Sequence, residues 1–234
     1  MPTSTELIVA LDVPDMGAVH AALEKLPAEI QWYKVGLELF SALGPPVLKE
    51  LRSRGKQVFL DLKLHDIPNT VSSAVRAIAA HDVQLLTVHS SGGQAMLEAA
   101  AEAARHADDL QVIAVTALTS LSEDDLRRCG VQRSIADHVQ ALGTLALQSG
   151  LDGLVCSPLE VGRLRTALGP DPILVTPGIR LAGDQAGDQK RISTPADAAR
   201  QGSSFIVVGR SLLHAADPVD TAHRILNELK SAAA

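Results

Sequence analysis

Eight short apolar runs of strand length recur along the 234-residue chain, and a segment of helical pattern follows each of them. Such alternation is typical of repeated βα units, and eight units close into a barrel more readily than they form an open sheet. We therefore predict an α/β protein with the (β/α)8 TIM-barrel fold, in which residues 1–234 form a single domain. The polar segment 120–133 is predicted as a short helix and a turn. The predicted strands are 7–12, 31–36, 57–62, 83–89, 111–118, 153–157, 172–178 and 204–209, and the clearest predicted helices are 92–106 and 218–230.

The composition argues against several kinds of partner. Hydrophobic residues make up 46% of the chain but aromatic residues only 2%, so the core must be aliphatic and platforms for stacking nucleic-acid bases are not expected. The formal net charge of −6 disfavours binding to nucleic acid or to an anionic membrane, since both need clustered Lys and Arg. Cys129 and Cys156 stand apart, which predicts neither a disulfide framework nor a zinc site. With no signal peptide and no apolar stretch of about 18 residues, the sequence predicts a cytoplasmic protein.

Polar residues follow almost every predicted strand at its carboxyl end. They are Asp12, Lys34, Asp61, Lys63, His89, Thr116, Thr119, Ser157, Arg180 and Arg210. In (β/α)8 barrels the carboxyl ends of the strands form the rim where active sites are assembled, whereas the opposite rim serves stability. The sequence therefore predicts a functional site at the carboxyl-end rim.

The stretch FLDLKLHDIPNT, residues 59–70, places three charges at the end of an apolar strand. Asp61 and Lys63 are two residues apart, so on an extended segment their side chains point to the same side and can touch. Lys34 on the neighbouring strand and Asp66 in the following loop would complete a net-neutral network, which tolerates burial better than a single charge does. The alternative is a structural ion-pair cluster that closes the barrel mouth, but charge clusters at this rim more often mark functional sites.

Two glycine-containing stretches after adjacent strands predict a phosphate site. TPGIR at 176–180 and VGRS at 208–211 follow strands seven and eight, where barrels of this type bind phosphate. Gly209 allows close backbone approach, and the Arg210 guanidinium can hold phosphate oxygens in a bidentate manner at the start of a helix. Each stretch alone is compatible with a simple turn, and their pairing favours the phosphate site. The segment 181–190, LAGDQAGDQK, is either a mobile lid or a solvated insertion.

The order of these motifs resembles the orotidine 5′-phosphate decarboxylase family. DLKLHDIPNT is similar to that family's D-x-K-x-x-D-I-P-N-T signature, and LDV, KVG, LTS, TPGIR, GDQKR and VGR occur in family order over nearly the whole chain. Leu181 and Ser211 stand where the family commonly has Pro after TPGIR and after VGR, which affects only local loop geometry. The resemblance implies a homodimeric enzyme without cofactor or metal that converts orotidine 5′-monophosphate (OMP) to UMP, the last step of de novo pyrimidine nucleotide synthesis.

The resemblance also implies roles for individual residues. The catalytic group would be Lys34, Asp61, Lys63 and Asp66, with Lys63 donating a proton to C6 of the pyrimidine and Asp61 beside the departing carboxylate. Asp12 would join Lys34 at the ribose hydroxyls, although Asp12 also fits a helix-cap pattern. The residues implied to enter the active site of the partner subunit are Asp66, Ile67 and Thr70. The remaining implied substrate contacts are Thr119, Pro177, Arg180, Gln189, Gly209 and Arg210.

Two other functions remain open from the sequence. Sugar-phosphate decarboxylases such as 3-keto-gulonate 6-phosphate decarboxylase share the D-x-K-x-x-D motif but use Mg²⁺, whereas DIPNT and the set TPGIR, GDQ and VGR favour the orotidine family. A non-catalytic nucleotide-binding barrel would keep the phosphate residues, and the intact Asp61, Lys63 and Asp66 argue against it. His65 and His89 suggest a metal site, but they lack a further ligand at short spacing and lie near lysines that repel cations, so no metal is predicted.

Overall fold

Eight parallel strands close into a barrel in the computed structural model, which describes residues 5–107, 109–181 and 193–232. The strands are β1 (Glu6–Ala10), β2 (Trp32–Gly36), β3 (Gln57–Leu64), β4 (Leu85–His89), β5 (Gln111–Val115), β6 (Gly153–Val155), β7 (Ile173–Thr176) and β8 (Phe205–Val208). Each strand pairs with the next one along the chain, and β1 pairs with β8 to complete the ring. The predicted (β/α)8 TIM barrel is confirmed.

The strand boundaries differ from the predicted ones mainly at the carboxyl ends. Strands β1, β5, β6, β7 and β8 end one to three residues earlier than predicted, because the polar and glycine residues there leave the ladder and enter the rim loops. Strand β3 is the exception, since it continues to Leu64 rather than ending at residue 62. The additional residues of β3 are Lys63 and Leu64, so Lys63 lies within this strand rather than in the loop after it.

Helices connect the strands in the described residues. They are α1 (Met16–Lys25), α2 (Leu37–Leu43), α3 (Pro46–Ser53), α4 (Pro68–Ala79), α5 (Gln94–Ala104), α6 (Glu123–Arg128), α7 (Ile135–Gln148), α8 (Val161–Leu168), α9 (Pro195–Arg200), α10 (Arg210–Leu213) and α11 (Pro218–Ala232). Two helices rather than the predicted one follow β2 and β8, and two also follow β5. Helix α6 confirms the short helix predicted within 120–133. None of these helices is long and apolar enough to cross a bilayer.

Alternation along the strands divides the core into two layers. Side chains on one face fill the barrel interior and include Ile8, Ala10, Phe59, Leu85, Ile113, Val175 and Val207. The intervening residues, such as Val9, Leu60 and Leu86, pack in the larger cluster with the helices. The interior positions two residues further along β1, β3 and β4 are Asp12, Asp61 and Thr87. The polar groups therefore lie directly above an apolar floor.

Candidate active site

A cavity of about 280 Å³ opens at the carboxyl-end rim. Nine residues predicted from the sequence line it: Asp12, Lys34, Asp61, Lys63, Thr119, Pro177, Arg180, Gly209 and Arg210. The apolar part of the lining comprises Ala10, Phe59, Val115, Ala117, Leu118, Val155, Cys156 and Val207. An apolar pocket with a few convergent charged groups is the usual form of a small-molecule site.

Four charged side chains of this cavity form a row of alternating sign. Asp12 Oδ1 lies 3.0 Å from Lys34 Nζ, which lies 3.9 Å from Asp61 Oδ2. Asp61 Oδ1 accepts a hydrogen bond of 2.7 Å from Lys63 Nζ. The side chains of Lys34 and Asp61 are only 13% and 15% exposed, and each charge is offset by a neighbour of opposite sign, which makes their burial tolerable. The Lys63 ammonium has three N–H donors, and its bond to Asp61 uses one of them.

The backbone at Lys63 departs from regular strand geometry. Its φ of +51° lies in the left-handed region, which residues other than glycine rarely adopt. The pairing of β3 with β4 shifts register between Leu60 and Leu64, as in a β-bulge. The Lys63 N–H donates to Thr87 Oγ1 at 2.8 Å, and Thr87 Oγ1 donates to Asp61 Oδ1 at 3.0 Å. The predicted contact between Asp61 and Lys63 is confirmed, but the regular extended segment assumed for it is wrong.

Asp12 is a cavity residue and not a helix cap. The N-cap of α1 is Asp15, whose carboxylate accepts a hydrogen bond of 2.9 Å from the Ala18 N–H. Asp12 instead accepts from Lys34. Gly36 leaves room for this contact, because a Cβ at that position would lie 2.7 Å from Lys34 Nζ.

The loops after β7 and β8 bring two arginines to the same cavity. Gly178 has φ of +84°, which glycine adopts without strain, and this turn precedes Arg180. Arg180 Nη1 donates to the preceding carbonyl group at 2.7 Å. Gly209 precedes Arg210 and packs closely against the end of β1, since a Cβ there would lie 3.2 Å from the Ala10 Cβ and 3.3 Å from Asp12 Oδ2. This contact joins the arginine end of the cavity to the charged row.

Other predicted site residues are not brought into this cavity. Asp66, Ile67 and Thr70 are exposed around the start of α4 and are absent from the described lining. Asp66 Oδ1 accepts from the Ile67 N–H at 2.6 Å, and Ile67 is 67% exposed. Within one chain the charge network predicted with Asp66 is therefore not formed, because the loop turns away after β3 and Asp12 supplies the second carboxylate. Gln189 and the predicted loop from 182 onward lie outside the described residues.

Two histidine rings stack beside Lys63. The centroids of His65 and His89 are 5.4 Å apart with an interplanar angle of 20°, and His89 Nδ1 lies 2.7 Å from Ser91 Oγ. Burial, followed by the electrostatic influence of His65 and Lys63, holds the pKa of His89 below its usual value of about 6.5. His89 is therefore neutral at pH 7. Among the described residues, no group of three or more His, Cys, Asp and Glu side chains is placed to hold a metal ion.

Comparison with known proteins assigns this chain to a family. The model of the orotidine 5′-phosphate decarboxylase / HUMPS family matches residues 5–225. The chain belongs to that family. The predicted family resemblance is confirmed.

Two relatives and one solved structure illustrate the similarity. The chain is 48% identical to orotidine 5′-phosphate decarboxylase of Opitutus terrae, over 97% of this chain and 99% of the relative. It is 46% identical to the protein of the same name from Moorella thermoacetica, over 98% of this chain and 94% of the relative. The crystal structure of orotidine 5′-phosphate decarboxylase from Lactobacillus acidophilus matches with a TM-score of 0.86 at 39% identity, covering 96% of this chain and 99% of that chain.

Sequence reasoning missed two residues that support the charged row. Thr87 bonds both Asp61 and the Lys63 backbone, and its signal was a polar residue at the interior-facing position of an otherwise apolar strand. Gly36 makes space for the Lys34 ammonium, and its signal was a glycine two residues after that lysine on the same face of β2. Neither signal is specific without the positions of the neighbouring strands.

Proposed function

We propose that this chain decarboxylates OMP to UMP and carbon dioxide, and so completes the de novo synthesis of UMP. The observation that carries the proposal is the Lys63 ammonium, which Asp61 holds at the cavity within a row of alternating charges. Membership of the family and the relatives named orotidine 5′-phosphate decarboxylase support it. The lining supports it as well, because apolar walls suit a flat pyrimidine and two arginines suit a phosphate.

The chemistry places its main demand on one carbon atom of the substrate. When the bond between C6 and the carboxylate breaks, carbon dioxide leaves and the electron pair stays on C6, in the ring plane, where the π system delocalises it poorly. The Lys63 ammonium stabilises this developing anion electrostatically and then transfers a proton to C6. UMP is the product, and the Lys63 amine regains a proton from solvent. This scheme needs no cofactor as an electron sink.

Asp61 has two functions in this scheme. Its Oδ1 holds Lys63, and its charge repels the substrate carboxylate until carbon dioxide departs. Two unit charges about 4 Å apart at an effective dielectric near 20 repel by about 4 kcal/mol, which corresponds to roughly a thousandfold in rate. Enzymes of slow reactions lower the barrier by more than this, so most of the effect must come from carbanion stabilisation and from phosphate binding energy.

The other polar residues bind the two ends of the substrate. Asp12 and Lys34 hold the ribose hydroxyls, and Thr119 contacts the pyrimidine. The phosphate contacts are Arg180, Gln189, Gly209 and Arg210, with Pro177 shaping the loop before Arg180. All of these residues except Gln189 line the described cavity, which supports the assignment.

We also propose a homodimer in which each active site receives the partner subunit's Asp66, Ile67 and Thr70. The exposure of Ile67, a large apolar residue next to the end of β3, supports this arrangement because such a residue gains from being covered. Mixing the single variants Lys63→Ala and Asp66→Ala tests it. A mixed dimer has one intact site, so random exchange should restore about a quarter of the wild-type activity. No recovery, with subunit exchange verified by mass-labelled chains, would contradict the shared site.

Residues 1–234 are proposed to act as one catalytic domain in the cytoplasm. The family model covers residues 5–225, and the relatives match almost from end to end. Cys129 and Cys156 form no disulfide, which fits a reducing compartment.

Incubation of the purified protein with OMP tests the function. The wild type should remove the orotate absorbance at the same rate with and without EDTA. Lys63→Ala should fold and lose turnover, whereas Lys49→Ala, at an exposed position of α3, should keep it. Turnover by Lys63→Ala would exclude Lys63 as the proton donor. Activity that requires Mg²⁺ would favour a sugar-phosphate decarboxylase, and binding of OMP without loss of absorbance would favour a non-catalytic barrel.

A further inference from the structure

Thr87 is a buried polar residue inside the barrel, next to the charged row. It lies on β4 two residues after Leu85, which belongs to the interior cluster, and it is 0% exposed. The described cavity lining does not include it, so it stands behind the site rather than in it. A buried hydroxyl needs hydrogen-bond partners, and Thr87 finds both of them in the motif that carries Lys63.

The Thr87 hydroxyl closes a ring of three hydrogen bonds. Its hydrogen is donated to Asp61 Oδ1 at 3.0 Å, and its oxygen accepts the Lys63 backbone N–H at 2.8 Å. The same Asp61 Oδ1 accepts from Lys63 Nζ at 2.7 Å. One carboxylate oxygen is therefore fixed by two donors, and this leaves Asp61 Oδ2 on the side of Lys34, 3.9 Å from its Nζ. The rotation of the carboxylate and the position of the Lys63 ammonium are coupled through one hydroxyl group.

The bulge in β3 explains why a side chain has to supply this contact. Leu60 pairs with Leu86 and Leu64 with Val88, so four steps along β3 correspond to two steps along β4. A backbone donor inside such a bulge loses its regular ladder partner. The Lys63 N–H lies within it, at a residue with φ of +51°, and Thr87 Oγ1 replaces the missing carbonyl. The hydroxyl thereby supports a backbone conformation that lysine rarely adopts.

We propose that Thr87 is a positioning residue for the decarboxylation, which holds the β3 bulge and the Asp61 carboxylate so that the Lys63 ammonium stays at the cavity. The expected effect on kcat rests on the proposed function, whereas the expected effect on the positions of Asp61 and Lys63 rests on the geometry alone. A displacement of about 1 Å between a catalytic group and its target can reduce a rate by about 10²-fold. Removal of the hydroxyl should therefore lower the rate of the chemical step more than it lowers substrate binding.

Three variants test the role of the hydroxyl. Thr87→Val keeps the shape and removes the hydroxyl, and kcat for OMP should fall by roughly 10- to 100-fold while KM and the dissociation constant of UMP stay within about threefold. Thr87→Ser restores the hydroxyl and should recover most of the lost kcat. Thr116→Val is the matched control, since Thr116 is also buried but its hydroxyl donates to the Val155 carbonyl group. A role in stability alone would lower the yield of folded protein and leave kcat per folded site unchanged.

A crystal structure of Thr87→Val separates this inference from the proposed function, because it needs no turnover. Displacement of Lys63 Nζ or rotation of Asp61 would support the inference even if the wild type did not act on OMP. Unmoved Asp61 and Lys63, a wild-type kcat in Thr87→Val, or an equal loss in Thr87→Ser would each overturn it. If Thr87→Val does not fold, Thr87→Cys replaces it with a weaker thiol donor, and a kcat equal to that of Thr87→Ser would then overturn the inference.

Discussion

A methyl group at position 36 would displace the ammonium of Lys34. An ideal Cβ on Gly36 would lie 2.7 Å from Lys34 Nζ and 3.7 Å from Asp12 Oδ1. Ordinary contact distances are roughly 3.5 Å, so Lys34 Nζ must move by about 0.8 Å, and its bond of 3.0 Å to Asp12 would be lost or lengthened. The φ of Gly36 is −96°, which alanine adopts without strain. The backbone can therefore stay in place while the lysine moves.

Gly36→Ala is expected to reduce activity with little loss of stability. A hydrogen bond with a charged partner contributes about 1.5–3 kcal/mol, so kcat/KM for OMP should fall by roughly 10- to 150-fold. Gly36 is also the N-cap of α2, where alanine costs about 1 kcal/mol or less of unfolding free energy. The absorbance assay with OMP measures the first quantity and urea unfolding the second.

The matched control is Gly17→Ala in α1, which adds the same methyl group beside Asp15 and away from the cavity. Its kcat/KM should equal that of the wild type. A wild-type kcat/KM in Gly36→Ala would refute the reasoning, because Lys34 could then move without consequence for the bound substrate.

Three further changes probe other parts of the site. Arg210→Ala should lower kcat/KM for OMP by roughly 10²- to 10³-fold and reduce the preference for UMP over uridine by a similar factor, since a charge-assisted phosphate contact is lost; an unchanged preference would place the phosphate elsewhere. Asp61→Asn should lower kcat by roughly a thousandfold while UMP, which lacks the carboxylate, binds no more weakly; an equal loss of UMP affinity would contradict the repulsion. Folding lowers the pKa of His89 below its unfolded value near 6.5, so below that pH the unfolded chain binds more protons than the folded chain. The unfolding free energy present above about pH 6.5 is therefore lost in part as the pH falls. His89→Asn should therefore lose less unfolding free energy than the wild type between about pH 7 and 5, and identical slopes in urea titrations would contradict the shift.

The barrel was predictable because each of its strands carries its own signal. Apolar runs such as QVFLDL and LLTVH are short, regularly spaced and separated by helical segments, and the carboxyl ends of parallel strands always meet at one rim. This rule alone brought Asp12, Lys34, Asp61 and Arg210 together correctly. The second helices after β2 and β8 were missed as separate elements, because pieces as short as α2 and α10 span too few turns to show a period.

The details of the site depend on contacts between distant residues. The bulge at Lys63 arises from the way β3 pairs with β4, and no local property of DLKLHD indicates φ of +51°. Threonine is common in strands, so nothing in LLTVH shows that the Thr87 hydroxyl meets a carboxylate 26 residues away. The place of Asp66 in a network likewise depends on the path of the loop after β3. Such long-range geometry could not be derived from spacing alone.

A crystal structure of the protein with a UMP-like inhibitor in the cavity tests the proposed role of Lys63 directly. We expect Lys63 Nζ about 3 Å from C6 of the pyrimidine, still bonded to Asp61, with the phosphate at Arg180 and Arg210. A lysine nitrogen beyond hydrogen-bond reach of C6, or a phosphate bound away from both arginines, would contradict the proposed mechanism.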